Sequence, residues 1–237
     1  MSSAGQTNDA IPDWVSTWFA DLRPVALPQI DPDPNRIALF STDMLVGFCR
    51  EGALSSDRVG ALETPVSTLF ETVWRYGVRH FVLTQDTHSP VTPEFEAWPV
   101  HCLDGTNESQ TVPSLSDLPF SSAFTIFPKN SLSQSIGTGF DAWLDAHPHI
   151  ETAIVVGNCS DLCVYQLAMH LRLRANAFDL SRYQVIVPAN AVDTFDLSPD
   201  SAASINAFAH PGDFYHQVFL HHLALNGVRV VASIEER

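Results

Sequence analysis

Two cysteines lie four residues apart in the stretch GNCSDLCVYQLAMHLR, where an apolar strand pattern gives way to a helical one. Cys163 falls in the first turn of the predicted helix, where free backbone N–H groups and the helix dipole stabilise a thiolate. Ser160 or Asp161 would cap that helix. Cys159 precedes the helix and lacks the same advantage. From position alone, Cys163 is either a nucleophile or an inert buried cysteine, and the inert reading is favoured for Cys159.

Two charged residues follow other predicted strands. Asp43 comes after RIALF, in STDMLVGFC, and is either a turn cap or a catalytic acid or base. Lys129 comes after AFTIF, directly behind a proline. Most lysines are solvated, but a buried ammonium there would lower the pKa of a neighbouring thiol or carboxylate. Both residues are therefore candidates to act together with a cysteine.

A third group of residues has the composition of a metal site. Asp86 and His88 are two residues apart in TQDTHSP, so in an extended backbone their side chains project to one face. His101 follows in EFEAWPVHC, with Glu94 and Glu96 between. One carboxylate and two imidazoles, with a second carboxylate available, suit zinc, iron or manganese. The alternative is that these side chains are turn caps and hydrogen-bonded core groups.

The elements that must position these residues alternate along the chain. Six strands are predicted at 36–40, 78–86, 123–127, 152–158, 183–189 and 228–234. Helices are predicted at 63–77, 139–147, 160–178, 198–208 and 212–227. Near-continuous apolar strands separated by helices predict an α/β fold, a doubly wound, mostly parallel six-stranded sheet with helices on both faces. In such sheets the chemistry gathers at the carboxyl ends of the strands.

The first part of the chain differs from the rest. Residues 1–35 read as an N-terminal extension, and 36–237 as one α/β domain. Three aromatic residues at helical spacing within the extension are expected to pack on the domain or on a neighbouring subunit: Trp14, Trp18 and Phe19.

Charge and cysteine content exclude several classes of protein. The formal net charge is −15, with a pI near 4.8, which disfavours nucleic acid and anionic membranes as partners. Four cysteines in 237 residues are too few for a disulfide scaffold and fit a reducing compartment. The start of the chain has neither a basic nor an apolar leader region, and no apolar run is long enough for a membrane span. A soluble, cytoplasmic protein with a small-molecule substrate is expected.

Taken together, these motifs resemble the isochorismatase-like cysteine hydrolases, and within them the nicotinamidase branch. GNCSDLCV is similar to the family pattern G-x-A-T-D-x-C-V, with Ser160 in place of the usual Thr and Cys159 in place of Ala. The metal motif of the branch, D-x-H followed by W-P-x-H-C and G-T, is matched by DTH, WPVHC and GT. The resemblance runs in order from about Arg36 to the C-terminus.

The resemblance implies a role for each matching residue. Cys163 would be the nucleophile, Asp43 its base and Lys129 their partner. The backbone N–H groups of Cys159 and Cys163 would form the oxyanion hole, after a cis peptide bond that precedes Cys159. The remaining matches are the metal ligands Asp86, His88 and His101, a further ligand of some members at Glu94, and the substrate-flanking aromatics Phe48 and Trp98.

The implied reaction is hydrolysis of nicotinamide to nicotinate and ammonia, a step of NAD salvage, with one divalent ion (zinc, iron or manganese) as cofactor. Leu45, Val46 and Gly47 depart from the usual Gln, Asn and Asp of the family's first motif, and Leu162 replaces an aromatic or His beside the nucleophile. These departures affect the pocket wall. A metal-independent amidase acting on a small acidic or ureido amide is the alternative, and a non-catalytic binding protein a more distant one. Relatives commonly assemble, so a homo-oligomer is expected.

Overall fold

The structure, a computed structural model, describes residues 11–237, so the first ten residues of the predicted N-terminal extension lie outside the described residues. Among those described, the helices are α1 (Asp13–Ala20), α2 (Leu27–Ile30), α3 (Val46–Cys49), α4 (Asp57–Gly60), α5 (Glu63–Tyr76), α6 (Pro113–Ser116), α7 (Phe140–Ala146), α8 (Cys163–Ala177), α9 (Pro199–Ser204) and α10 (Gly212–Leu225). The strands are β1 (Val25–Ala26), β2 (Ile37–Thr42), β3 (His80–Asp86), β4 (Phe124–Lys129), β5 (Thr152–Asn158), β6 (Gln184–Pro188), β7 (Val192–Asp193), β8 (Arg229–Val231) and β9 (Ile234–Glu235).

The main sheet is parallel throughout and has the order β4-β3-β2-β5-β6-β8. These six strands are the six that the sequence predicts, and the predicted α/β class is confirmed. A seventh strand, β7, pairs with the end of β5, so the sheet has seven strands rather than six. The prediction missed β7 because two residues are too few to show a hydrophobic period.

Alternating residues of the central strands face opposite sides of the sheet, and helices cover both sides. Leu39 of β2 belongs to the core that α5 closes, whereas Phe40 belongs to the core closed by α7, α8 and α10. Every residue of β2 and of β5 is buried. Strands covered on both faces read as continuous apolar runs, which is why their pattern could be recognised in the sequence.

The described part of the predicted extension packs against the domain. Strand β1 pairs in parallel with β9, and Leu27 is fully buried in the core. The rings of Trp14 and Trp18 both contact the His221 ring edge-on, at centroid distances of 4.8 and 5.0 Å. The domain boundary at residue 35 stays a prediction. Within residues 11–237 no helix has the length and apolar character needed to cross a bilayer.

Gly157 lies where the carboxyl ends of β2 and β5 approach each other most closely. Its φ is +110°, a conformation that L side chains rarely adopt, and an added Cβ would lie 2.0 Å from the carbonyl oxygen of Thr42. This close approach lets the next side chain, Asn158, donate a 2.6 Å hydrogen bond to the carbonyl of Asp43. Glycine at 157 therefore brings the end of β2 and the turn after β5 together.

Gly157→Ala is expected to destabilise the fold by at least about 3 kcal/mol, because a backbone clash adds to the cost of positive φ. Urea unfolding followed by circular dichroism measures this loss. Gly137→Ala is the matched control, since Gly137 has φ +75° but no atom within 4 Å of its added Cβ. It should cost only about 1–2 kcal/mol. Equal losses in the two variants would contradict the role given to Gly157.

Candidate active site

Four of the residues singled out in the sequence meet at the carboxyl ends of neighbouring strands. Asp43 directly follows β2, and Asp86 ends β3 beside it. Lys129 ends β4 and is the register partner of Asp86. Cys163 is the first residue of α8, which follows β5 on the other side of β2. The parallel sheet thus gathers residues that are up to 120 positions apart in the chain.

Lys129 is the centre of this cluster. Its side chain is almost fully buried, and its Nζ lies 2.9 Å from Oδ2 of Asp43 and 3.6 Å from Sγ of Cys163. It also donates a hydrogen bond to Oδ1 of Asp86. Burial by itself would lower the pKa of Lys129, but the Asp43 and Asp86 carboxylates outweigh it and hold that pKa well above its ordinary value. The ammonium is therefore a fixed positive charge beside the sulfur.

Asp43 is held in one orientation. Its Oδ1 accepts a 2.8 Å hydrogen bond from the N–H of Asp86, and its Oδ2 accepts one of 3.0 Å from the Thr42 hydroxyl. An Asp43 oxygen lies within 4.8 Å of the Cys163 sulfur. Burial, and then the Asp86 charge, raise the pKa of Asp43. A carboxylate with a raised pKa is a better proton acceptor, which is what a general base beside a thiol requires.

The surroundings of Cys163 favour the neutral thiol over the thiolate. Burial, followed by the Asp43 charge, raises the pKa of the Cys163 thiol well above its ordinary value, although Lys129 opposes the shift. Dehydration and the nearby carboxylates thus act against the stabilisation that the sequence predicts for a thiolate in the first turn of the helix, and that stabilisation stays a prediction. An Asp43 carboxylate oxygen beside the sulfur can serve as a proton acceptor.

The turn before α8 presents backbone donors beside the sulfur. The N–H groups of Leu162 and Val164 donate to the carbonyl of Cys159, at 3.0 and 3.1 Å. Within residues 11–237, the N–H groups of Cys159 and Cys163 make no hydrogen bond. The peptide bond between Asn158 and Cys159 is cis, as the resemblance implies. These two N–H groups are therefore free to donate to a ligand, and their role as an oxyanion hole stays a prediction.

The predicted cap of α8 is wrong: the N-cap residue is Leu162, and no side chain caps the helix. Asp161 instead accepts a 2.8 Å hydrogen bond from Nε2 of His210, and Ser160 contacts His216 at 3.1 Å. These two side chains are engaged by the segment after β7 and by α10, which the local sequence could not show.

Sequence reasoning also missed His210. Its Nδ1 lies 3.0 Å from the carbonyl oxygen of Phe195 and its Nε2 lies beside Asp161, so both ring nitrogens face oxygens that accept. The ring stacks between Phe195 and Tyr215, at centroid distances of 3.8 and 4.2 Å. His210 thereby ties the turn before Cys163 to the segment after β7. The DTFDL…AHPG stretch carries no motif that could have indicated this contact.

Lys129→Met is expected to lower the free energy of unfolding by roughly 3–5 kcal/mol in metal-free buffer, because Asp43 and Asp86 would be left buried without a counter-charge. Urea unfolding measures the loss. Arg50→Met is the control, since Arg50 is exposed and its 2.7 Å pair with Glu63 should contribute less than about 1 kcal/mol. Similar small losses in both variants would show that Lys129 is not the structural counter-charge.

Next to this cluster lies the predicted metal set. Single ligand atoms of four residues all lie within 4.8 Å of one another: Asp86, His88, Glu94 and His101. Nε2 of His88 is 3.5 Å from Oδ2 of Asp86 and 3.8 Å from Oε1 of Glu94. Glu96 is exposed and is not part of the group. Asp86 belongs to both clusters, with one oxygen toward Lys129 and the other toward the histidines.

The histidine contacts fit a divalent transition ion. Nδ1 of His101 lies 2.7 Å from the Pro99 carbonyl, and Nδ1 of His88 lies 3.3 Å from Oδ1 of Asn130. Partners at Nδ1 leave the lone pair on Nε2, the arrangement found around metal-bound histidine. Nε2 of His88 is buried without a hydrogen-bond partner among the described residues. A buried nitrogen that lacks a hydrogen-bond partner and lies beside two carboxylates can act with them as a ligand of a metal ion.

The predicted substrate-flanking residues lie near the metal-ligand candidates or next to Cys163 in the chain. Phe48 packs against the His101 ring, with the centroids 5.6 Å apart. Trp98 is half-buried and contacts Phe195 edge-on, at 6.1 Å. Leu162 is half-buried directly before the nucleophile candidate. Apolar side chains therefore border both the metal ligands and the cysteine.

Comparison with protein families gives one match across this region: the isochorismatase domain model matches residues 37–219. A curated relative, nicotinamidase 1 from Arabidopsis thaliana, is 32% identical over 157 residues. That alignment covers 63% of this chain and 64% of the Arabidopsis protein, so the chain spans slightly less than two thirds of this relative.

Two solved structures illustrate the similarity of fold. Pyrazinamidase of Pyrococcus horikoshii, in complex with zinc, has a TM-score of 0.62 at 21% identity, over 83% of this chain and 98% of that one. N-carbamoylsarcosine amidase from Thermoplasma acidophilum has a TM-score of 0.60 at 24% identity, over 83% and 95% of the two chains. At these identities the likeness establishes the fold.

Proposed function

The chain belongs to the isochorismatase family, and from that premise we propose that it is a metal-dependent cysteine amidohydrolase that converts nicotinamide to nicotinate and ammonia. The observation that carries the proposal is that Asp86 belongs to two clusters at once. One cluster contains Cys163, and the other consists of the four metal-ligand candidates. The nicotinamidase name of the Arabidopsis relative supports the choice of substrate.

Asp86, His88, Glu94 and His101 would hold the ion. When bound, a divalent ion here supplies a Lewis acid that orients the pyridine ring, directly or through water. Its identity as zinc is supported by the zinc complex of the Pyrococcus protein, although the same ligand types also suit iron and manganese. Phe48 and Trp98 would border the ring.

Acylation uses the residues around Lys129. Asp43 takes the proton of the Cys163 thiol, and the sulfur adds to the carboxamide carbon. The Lys129 ammonium stabilises the negative charge while it passes between the carboxylate and the sulfur. The oxyanion forms against the N–H groups of Cys159 and Cys163, and loss of one such donor costs roughly 2.7–4 kcal/mol in comparable sites. Asp43 then gives its proton to the amide nitrogen, which leaves as ammonia.

Deacylation reuses the same base. A water molecule takes the place that ammonia leaves, and Asp43 accepts a proton from it as its oxygen attacks the thioester carbon. The same two N–H groups stabilise the second oxyanion. Collapse of this oxyanion breaks the bond between the carbon and the sulfur, and Asp43 gives the proton taken from water to the departing Cys163 sulfur. The acid then leaves as its carboxylate after losing its own proton to solvent. The half-buried neighbours of the cysteine limit the access of bulk water, which favours small planar amides as substrates.

A second candidate is a metal-independent amidase of the same family that acts on an acidic or ureido amide. It is favoured by the fold of N-carbamoylsarcosine amidase and by Leu45, Val46 and Gly47, which depart from the family's first motif. The buried Nε2 of His88 argues for the metal-dependent reading.

The proposal of a nicotinamide-hydrolysing enzyme also includes a cytoplasmic location, a role in NAD salvage and assembly into homo-oligomers.

The test is ammonia release by the purified protein from nicotinamide, pyrazinamide, maleamate and a ureido amide, with metal content measured on the same sample. The proposal predicts turnover of the two pyridine-type amides and about one divalent ion per chain. Turnover of maleamate or the ureido amide alone, in protein without metal, would support the second candidate instead.

A further inference from the structure

Three histidines cluster at the opposite end of the sheet from the candidate active site. His80 is the first residue of β3, and His147 and His149 lie between α7 and β5. The ring centroid of His80 is 5.2 Å from that of His149 and 5.4 Å from that of His147. Because a strand rises about 3.3 Å per residue, His80 lies about 20 Å from Asp86 at the other end of β3.

The spacing of two ring nitrogens suits a single metal ion. Nε2 of His80 and Nε2 of His149 are 3.3 Å apart. Two imidazole ligands at about 2.0–2.1 Å from a tetrahedral ion are themselves about 3.3–3.4 Å apart. The same separation allows a hydrogen bond between the two rings when one Nε2 carries a proton, and it matches joint ligation of one ion when neither does.

His147 supplies a third ring. Its Nδ1 lies 2.7 Å from the carbonyl oxygen of Trp143, which leaves the lone pair on Nε2. A carbonyl partner at the other ring nitrogen is the usual support of a metal-bound histidine. Its centroid is 5.8 Å from that of His149 and 5.4 Å from that of His80, so it lies beside the pair. Its ring also stacks on Trp143, with the centroids 4.1 Å apart.

We propose that His80 and His149, joined by His147, form a second transition-metal site that is separate from the one at Asp86. Nitrogen-only ligation selects borderline ions such as Zn²⁺ and Ni²⁺ and excludes Mg²⁺ and Ca²⁺, which require oxygen ligands. The net charge of −15 favours the approach of a cation.

Zinc content after equilibrium dialysis tests this site. His149→Asn should bind one zinc equivalent fewer per chain than the unmutated protein, and its ammonia release should be unchanged. His149 is exposed, so the substitution should leave the fold intact, as thermal unfolding would verify. His222→Asn is the matched control, because His222 is an exposed histidine elsewhere on the surface and its loss should not change zinc content.

Trp143 gives an independent signal. Ni²⁺ should quench part of the tryptophan fluorescence of the unmutated protein, and that part should be absent in both Trp143→Phe and His149→Asn. A His147→Asn variant should show weaker quenching than the unmutated protein. Equal zinc content in the His149→Asn and unmutated proteins, or quenching that persists in His149→Asn, would overturn the proposal. Neither result depends on the activity proposed for the Cys163 site.

Discussion

Cys163→Ala is expected to release no ammonia from nicotinamide above the uncatalysed rate, a loss of roughly 10³-fold or more. The reason is that the proposed reaction passes through a thioester on this sulfur, and within residues 11–237 no other nucleophile occupies its place between Lys129 and Asp43. Initial rates of ammonia release at saturating nicotinamide measure the effect.

Cys159→Ala is the matched control for that substitution. Cys159 is also buried, and burial raises the pKa of its thiol to about 12. Unlike Cys163, it does not belong to the cluster with Asp43 and Asp86 that would supply a base. What it offers the reaction is its backbone N–H, which alanine retains. Its activity should stay close to that of the unmutated protein. Equal losses in the two variants would show that the two cysteines have been assigned incorrectly.

His101→Asn is expected to abolish binding of a divalent ion and to raise KM for nicotinamide strongly, because in the proposed site two imidazoles and two carboxylates would hold the ion that orients the ring. This position is a cleaner test than Asp86, whose other oxygen bonds Lys129. Metal analysis of the purified variant and a full rate-against-substrate curve measure the two effects.

Glu96→Gln is the control for the metal site, since Glu96 lies in the same loop but is exposed and outside the ligand group. It should keep both metal and activity. Treatment of the unmutated protein with chelator should abolish activity, and addition of zinc, iron or manganese in turn should restore it. Full activity in the metal-free protein would contradict the proposed dependence on an ion.

The sequence predicts the candidate site well where the sheet itself does the positioning. Asp43, Asp86 and Lys129 each follow or end a buried strand, and parallel strands bring their carboxyl ends to one edge. Once β3 and β4 are recognised as neighbours, the register that places Asp86 opposite Lys129 follows from the strand ends. The roles of these residues in a reaction stay predictions.

The sequence fails where contacts come from irregular segments. The Asp161–His210 pair joins the turn before α8 to a loop 49 residues later. That loop has no hydrophobic periodicity from which its position in the fold could be predicted. The same contact explains why Asp161 does not cap α8. Strand β7 was missed for a related reason, because its two residues are defined by pairing with β5 and not by their own pattern.

Mass spectrometry can detect the proposed covalent intermediate on Cys163. The protein is mixed with excess nicotinamide, quenched with acid during turnover, and digested under acidic conditions that preserve a thioester. A peptide containing Cys163 should carry one nicotinoyl group, and no such group should appear on Cys159 or in the Cys163→Ala protein. Turnover with no acyl group on the Cys163 peptide at any quench time, or the group on another residue, would contradict it.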